Sequence, residues 1–249
     1  MIMNNRPIEK KLLEGVLDQI LTKFDKAGSG DVFNLCLSLG KGARKLPQDS
    51  VSTDIYYAIF LKSMQVLSEC DLYQISQIGN FMSSPGASRN VPDEFWTGCI
   101  EEALQESLLE FKKYSDVINR ESYLEDFMSC LVSFGIRGIA SEKLQKTVID
   151  LVRENQEHMT DKSQENFMFF LDRCHQPRGE DFEVVNTLMD NITKDELILK
   201  GEIRDHLLIL SLIQKYGLDQ NLLIQQIEYV FHEQFLTEDS DAQKSLSKP

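Results

Sequence analysis

Residues 122–138, SYLEDFMSCLVSFGIRG, followed by residues 141–155, SEKLQKTVIDLVREN, decide the fold. In the first stretch Leu124, Phe127, Met128, Leu131 and Phe134 recur at three- and four-residue spacing, which places them on one face of a helix. Gly135 closes that run and Ser141 is suited to cap the next helix. Leu144, Val148 and Leu151 then form a second apolar stripe on the return helix. The first half of this phrase recurs along the chain as DVFNLCLSLG (31–40), DLYQISQIG (71–79), ENFMFFLDRC (165–174) and RDHLLILSLIQKYG (204–217). The closing positions 40, 79, 135, 174 and 217 are separated by 39, 56, 39 and 43 residues, the range of stacked helix pairs.

Upstream of the first repeat, Pro7 can occupy a first helical position. Leu12, Leu13, Val16, Leu17, Ile20, Leu21 and Phe24 then form one stripe, an N-terminal capping helix over residues 7–26. Repeats start near residues 31, 71, 123, 163 and 204. Asp71 is a plausible N-cap, and Ser83, Ser84, Pro85 and Gly86 give a strong turn. A long helix entered at Pro92 and carrying Trp96, Ile100, Leu104, Leu108 and Phe111, plus a connector over 114–121, accounts for the 56-residue interval. The fourth unit returns through Phe182, Val185, Leu188 and Ile192, the fifth through Leu223, Ile227, Val230 and Phe231. No stretch alternates apolar and polar residues long enough for a strand. The expectation is all-α: a right-handed helical-repeat solenoid of about five helix–turn–helix units with an N-terminal capping helix. It forms one domain over 1–236, with Phe33, Leu72, Phe127, Phe169 and Leu208 all buried. Residues 237–249 form a polar tail expected to be mobile in the isolated chain.

Composition narrows the function classes. A chain of 249 residues with 42% hydrophobic content can bury a continuous core without disulfides or metals. A formal charge of −14 opposes contact with nucleic acid or anionic lipid and favours basic partners. The five cysteines, Cys36, Cys70, Cys99, Cys130 and Cys174, are widely spaced and lie mostly in apolar runs, as reduced core residues of an intracellular protein do. LLILSLI at 207–213 is the longest apolar stretch, far short of the roughly 18 residues a membrane span needs. The N-terminus lacks a secretory apolar region. Glu9, Glu14 and Asp18 also set it apart from an Arg-rich mitochondrial presequence, leaving an internal or removed signal.

The third repeat resembles the helix–turn–helix unit of organellar repeat proteins of the octotricopeptide and FAST-kinase-like (heptatricopeptide) type. Those units often close the first helix with an aromatic residue or Leu followed by Gly. Similar endings here are Leu39-Gly40, Ile78-Gly79, Phe134-Gly135 and Tyr216-Gly217. The likeness extends over 31–235 and implies a mitochondrial or plastid setting and, in many relatives, work on RNA. Nothing after Phe235 resembles the RAP domain that many of them carry.

Residues 24–32, FDKAGSGDV, start like an EF-hand loop with Asp25, Gly30 and Val32 in place. Ala27 and Cys36 occupy ligand positions, so the segment reads as a helix-to-helix turn. Cys174 and His175 have no second pair at zinc spacing, and His158, His175, His206 and His232 read as scattered surface or boundary residues. Gly40-Lys41 lacks the glycine a phosphate loop needs at position 35, which is Leu35. No nucleophile elbow and no cysteine in an electropositive setting occurs. The chain is therefore not read as an enzyme, and no catalytic, cofactor-binding or metal residue, cofactor or small-molecule substrate is expected.

Charge offers two candidate interaction features. Residues 93–126 hold ten acids against three bases, and Asp93, Glu94, Glu101, Glu102, Glu106 and Glu110 form a candidate face for a basic partner, or simply a solvated face. Lys41, Arg44, Lys45, Arg89, Arg137, Arg173, Arg178 and Lys215 follow the first helix of each repeat and form a candidate interaction edge. Helix dipoles favour cations there by about 0.3–1 kcal/mol each, which accounts for the same pattern. The functional expectation is a non-catalytic scaffold or adaptor, an accessory subunit of a larger mitochondrial assembly whose partners are other protein subunits. The alternative is an organellar RNA-binding repeat protein using the basic turn residues, and the alternative location is the cytoplasm.

Overall fold

The apolar stripes become helices, and the helices pack against one another. The computed structural model describes residues 15–17, 19–20, 22–43, 53–114, 117–179, 181–194 and 202–232. A short 3-10 turn (Phe24–Lys26) precedes α1 (Ser29–Ala43), α2 (Thr53–Val66) and α3 (Leu72–Met82). A π-helical segment (Phe95–Ile100) runs directly into α4 (Glu101–Lys113). Then come α5 (Arg120–Arg137), α6 (Glu142–Asn155), α7 (Asp161–Cys174), α8 (Asp181–Lys194), α9 (Ile203–Tyr216) and α10 (221–232). The described residues contain no strand.

In one layer α1 packs on α3, α3 on α5, α5 on α7 and α7 on α9. Beside it, α2 lies against α1, the π segment against α3 and α8 against α6. Between them the buried side chains form one continuous apolar cluster from Leu17 to Val230, with Phe127, Phe134, Phe167 and Phe170 fully enclosed. Of the five first-helix positions expected inside, Leu72 and Phe127 are buried, whereas Phe33, Phe169 and Leu208 are only half-buried. Phe33 meets the exposed ring of Tyr73 at 5.7 Å, and Arg173 sits over Phe169 at 5.9 Å. Both mark the rim of the layer. Phe182 is exposed and leaves its place in the α8 core to Val184, because its ring turns edge-on to Tyr216 at 5.8 Å.

Side-chain caps set where the helices begin. Asp71 Oδ1 accepts from the Gln74 N–H at 2.8 Å while Gln74 Oε1 accepts from the Asp71 N–H, a reciprocal capping box. Asn119, Ser141 and Thr160 cap α5, α6 and α7 through one hydrogen bond each. The closing glycines behave differently from their sequence reading. Gly217 does end α9, with φ 61°, but α5 runs past Gly135 to Arg137 and is ended by Gly138 at φ 70°. Gly135 is instead a contact point: a Cβ there would lie 2.6 Å from the Phe169 ring, so the missing side chain lets α5 and α7 approach. Gly79 does the same for α3 against Ser133 of α5, at 2.9 Å. The EF-hand-like segment forms no calcium loop. Asp25 lies in the 3-10 turn, α1 begins at Ser29, and Cys36 is buried in its third turn. Arg44, Lys45, half of the 7–26 capping helix and the 237–249 tail lie outside the described residues.

Candidate functional site: an acidic cleft between α3, α4 and α5

The capped start of α3, the outer face of α4 and the first turns of α5 enclose a cleft of about 490 Å³. Its floor is apolar: Leu67, Leu72, Ile75 and Phe111 are buried there. Phe111 stacks on Tyr123 with ring centroids 4.0 Å apart and planes 6° from parallel, which fixes the last turns of α4 on α5. Ser107 adds a long hydrogen bond to the Tyr123 hydroxyl at 3.5 Å. Four carboxylates stand round this floor: Asp71, Glu106, Glu110 and Asp126. Among the described residues no Lys, Arg or His lines it. None of the four forms an ion pair among the described residues. Burial, then the nearby charges of Asp71 and Glu125, push the Asp126 carboxyl above its ordinary value. The cleft is therefore a negative, partly apolar slot with no cation among its described lining residues.

The six acids singled out in the sequence divide between this cleft and other roles. Glu106 and Glu110 are exposed on its rim, while Glu94 and Glu102 are exposed outside its lining. Asp93 pairs with Arg137. Glu101 turns inward: it is buried and accepts from the Ser141 hydroxyl and from Gln105 Nε2 at 3.3 Å, tying α4 to the start of α6. Asp71 and Asp126 complete the cleft and were missed as site residues. Asp71 lies outside the acid-rich span, and only folding brings it to within electrostatic reach of Asp126.

Four members of the basic edge, Arg137, Arg173, Arg178 and Lys215, are engaged within the fold. Arg137 donates to the Ser88 carbonyl at 3.1 Å, pairs with Asp93 and lies over the Trp96 ring at 4.9 Å. Lys215 donates to the carbonyls of Leu171 and Asp172, both at 2.7 Å, so it caps the end of α7. Arg178 pairs with Glu142 at 3.0 Å and Arg173 with Asp172 at 3.3 Å. Arg89 is exposed; Lys41 lies in α1.

A second cavity of about 380 Å³ lies between α6 and the α7–α8 connection, lined by Lys146, Arg153, His175, Arg178 and Asp181 among others. His175 at this cavity and His206 on α9 beside Phe231, both read from sequence as surface or boundary residues, are buried. The Tyr216 hydroxyl and His175 Nδ1 are 2.6 Å apart, and His175 Nε2 is 3.2 Å from Asp181 Oδ2. With a neutral ring this makes a chain in which Tyr216 donates to Nδ1 and Nε2–H donates to Asp181. Burial holds the His175 pKa below its ordinary value despite Asp181, with Lys215 and Arg178 adding to the depression. Asp181 also accepts from the Arg178 N–H at 3.1 Å. The cluster joins α7, α8 and α9 and satisfies itself.

All five cysteines are free thiols. Burial raises each pKa, that of Cys70 to about 11 and that of Cys174 to about 12, so they stay protonated. Cys130 and Cys174 use their S–H groups between units, toward the carbonyls of Leu72 at 3.2 Å and Ile139 at 3.6 Å. No group of His, Cys, Asp and Glu among the described residues is placed to hold a metal, and no described helix is long and apolar enough to cross a membrane. Comparison with family models, curated proteins and solved structures finds no match.

Proposed function

We propose that this chain is a non-catalytic helical-repeat scaffold or adaptor, an accessory subunit that holds other proteins in a larger assembly. The observation that carries the reading is the sequential packing of α1 on α3, α3 on α5, α5 on α7 and α7 on α9. A right-handed solenoid of helix pairs accounts for that order. Such stacks present long surfaces to partners. The cleft at α3, α4 and α5 supplies one such surface with no cation among its described lining residues, while Arg137, Arg173, Arg178 and Lys215 of the basic edge are engaged within the fold. A mitochondrial placement rests on the resemblance of the repeats to organellar proteins.

Native affinity purification with mass spectrometry, run with and without ribonuclease, tests the reading. A scaffold retains the same protein partners after ribonuclease. Retention of RNA alone, with affinity falling steeply and linearly in log salt, would replace it with the RNA-binding alternative.

A further inference from the structure

We propose that the cleft between α3, α4 and α5 docks a short partner segment in which an apolar side chain is flanked by lysines or arginines. This deepens the scaffold reading and rests on it. The floor and the rim ask for different things from one occupant. Leu72, Ile75 and Phe111 offer apolar surface at the bottom of a space of about 490 Å³, enough for one or two aliphatic side chains. Asp71, Glu106, Glu110 and Asp126 stand above it, with no cation among the described lining residues. The nearest bases on α4 are turned to other work: Lys112 approaches Glu154 at 3.8 Å and Lys113 lies over the Tyr114 ring at 4.9 Å.

The occupant follows from charge and shape together. A purely apolar segment would leave charged oxygens facing it, at a desolvation cost no contact repays. A small polycation would meet the acids and leave the floor wet. A segment with both features answers floor and rim at once. Its cations also gain from the field of a chain carrying −14 formal charge, which raises the rate of encounter. The stacked Phe111 and Tyr123 rings fix one wall before anything binds, so little ordering is asked of the site.

The test uses the full chain and fluorescence anisotropy with a short labelled peptide that sets leucines among lysines and arginines. A second peptide has serines in place of the leucines. The leucine peptide should bind about tenfold more tightly than the serine peptide, and the double variant Glu106→Lys/Glu110→Lys should weaken it by about tenfold or more. The same charge change placed elsewhere, Glu183→Lys/Glu228→Lys on exposed positions of α8 and α10, should alter binding by less than about twofold. Circular dichroism verifies that both variants keep the wild-type helix content. Equal binding of the two peptides, equal weakening by the two double variants, or displacement of the leucine peptide by spermine at matched charge would each overturn the proposal. Native purification with wild type and the α4 variant separates this from the scaffold reading. Partners held equally by both overturn the cleft and leave the scaffold standing. Discriminating peptide binding with no partner retained supports the cleft and counts against the scaffold.

Discussion

The acidic cleft and the Tyr216–His175–Asp181 joint are built from the same materials, a cavity, titratable groups and an aromatic wall, and they reach opposite conditions. At the joint most of the charged groups are answered from within: Asp181 by His175 and a backbone N–H, Arg178 by Glu142, Arg153 by Asp150 at 2.6 Å. At the cleft no cation stands among the described lining residues, and burial, then the nearby charges of Asp71 and Glu125, disfavours the charge on Asp126. Buried polar groups that satisfy each other hold helices together. Exposed charges left unanswered cost the fold little and stay available to a partner. The difference separates a structural joint from a docking surface, and it is open to attack from both sides.

The largest expected effect lies in the core that both regions share. Phe127→Ala removes a fully buried ring at the centre of α5 and should cost about 3–5 kcal/mol in urea denaturation, against a typical domain stability of about 5–15 kcal/mol. A loss below about 1 kcal/mol, the size expected of a surface site, would show that α5 is not central. Next come the contacts that fix the joint. Tyr216→Phe leaves His175 Nδ1 buried without its donor and should cost about 1–3 kcal/mol.

The joint also predicts a pH dependence of definite sign. His175 has a folded-state pKa below the ordinary value of 6.5, so the unfolded chain takes up the proton first. Its contribution is complete above 6.5 and is lost as pH falls toward the depressed folded value. Asp126 acts oppositely. Its raised folded pKa means the folded chain takes up the proton first on acidification, so its contribution is present at low pH and lost as pH rises through the raised value. Thermal melts of His175→Gln and Asp126→Asn across this range should flatten the two slopes separately.

The glycines give a smaller contrast. Gly135→Ala should destabilise by about 1–3 kcal/mol because its new Cβ meets the Phe169 ring, whereas Gly40→Ala, with open space around it, should stabilise by about 0.4–1 kcal/mol. The smallest effect belongs to the cleft rim: Glu106→Lys/Glu110→Lys should leave stability within about 0.5 kcal/mol.

Helix positions were legible because local signals specify them. The stripe Leu124, Phe127, Met128, Leu131 and Phe134 is buried on α5 as its spacing requires, and Asp71 and Ser141 cap the helices they precede. What the sequence concealed depends on neighbours far along the chain. Gly79 and Gly135 look like terminators, yet their purpose is set by Ser133 and Phe169 on the next helix. His175 and Tyr216 are 41 residues apart, and nothing local marks either as half of a hydrogen bond. The basic edge was visible as a pattern, but Lys215 reveals its use only through the carbonyls of Leu171 and Asp172. Four of its members turned out to serve the fold. The cleft lay half in view: Glu106 and Glu110 belong to a conspicuous acidic span, while Asp71 reaches the same slot only through the packing of α3 on α5.

Amide hydrogen exchange on the full chain, with and without the leucine-containing basic peptide, tests the division of labour most directly. The account predicts added protection at the start of α3, along the second half of α4 and at the first turns of α5, with no change around His175, Asp181 and Tyr216. Protection centred on α7, α8 and α9, or spread evenly over the whole chain, would contradict it.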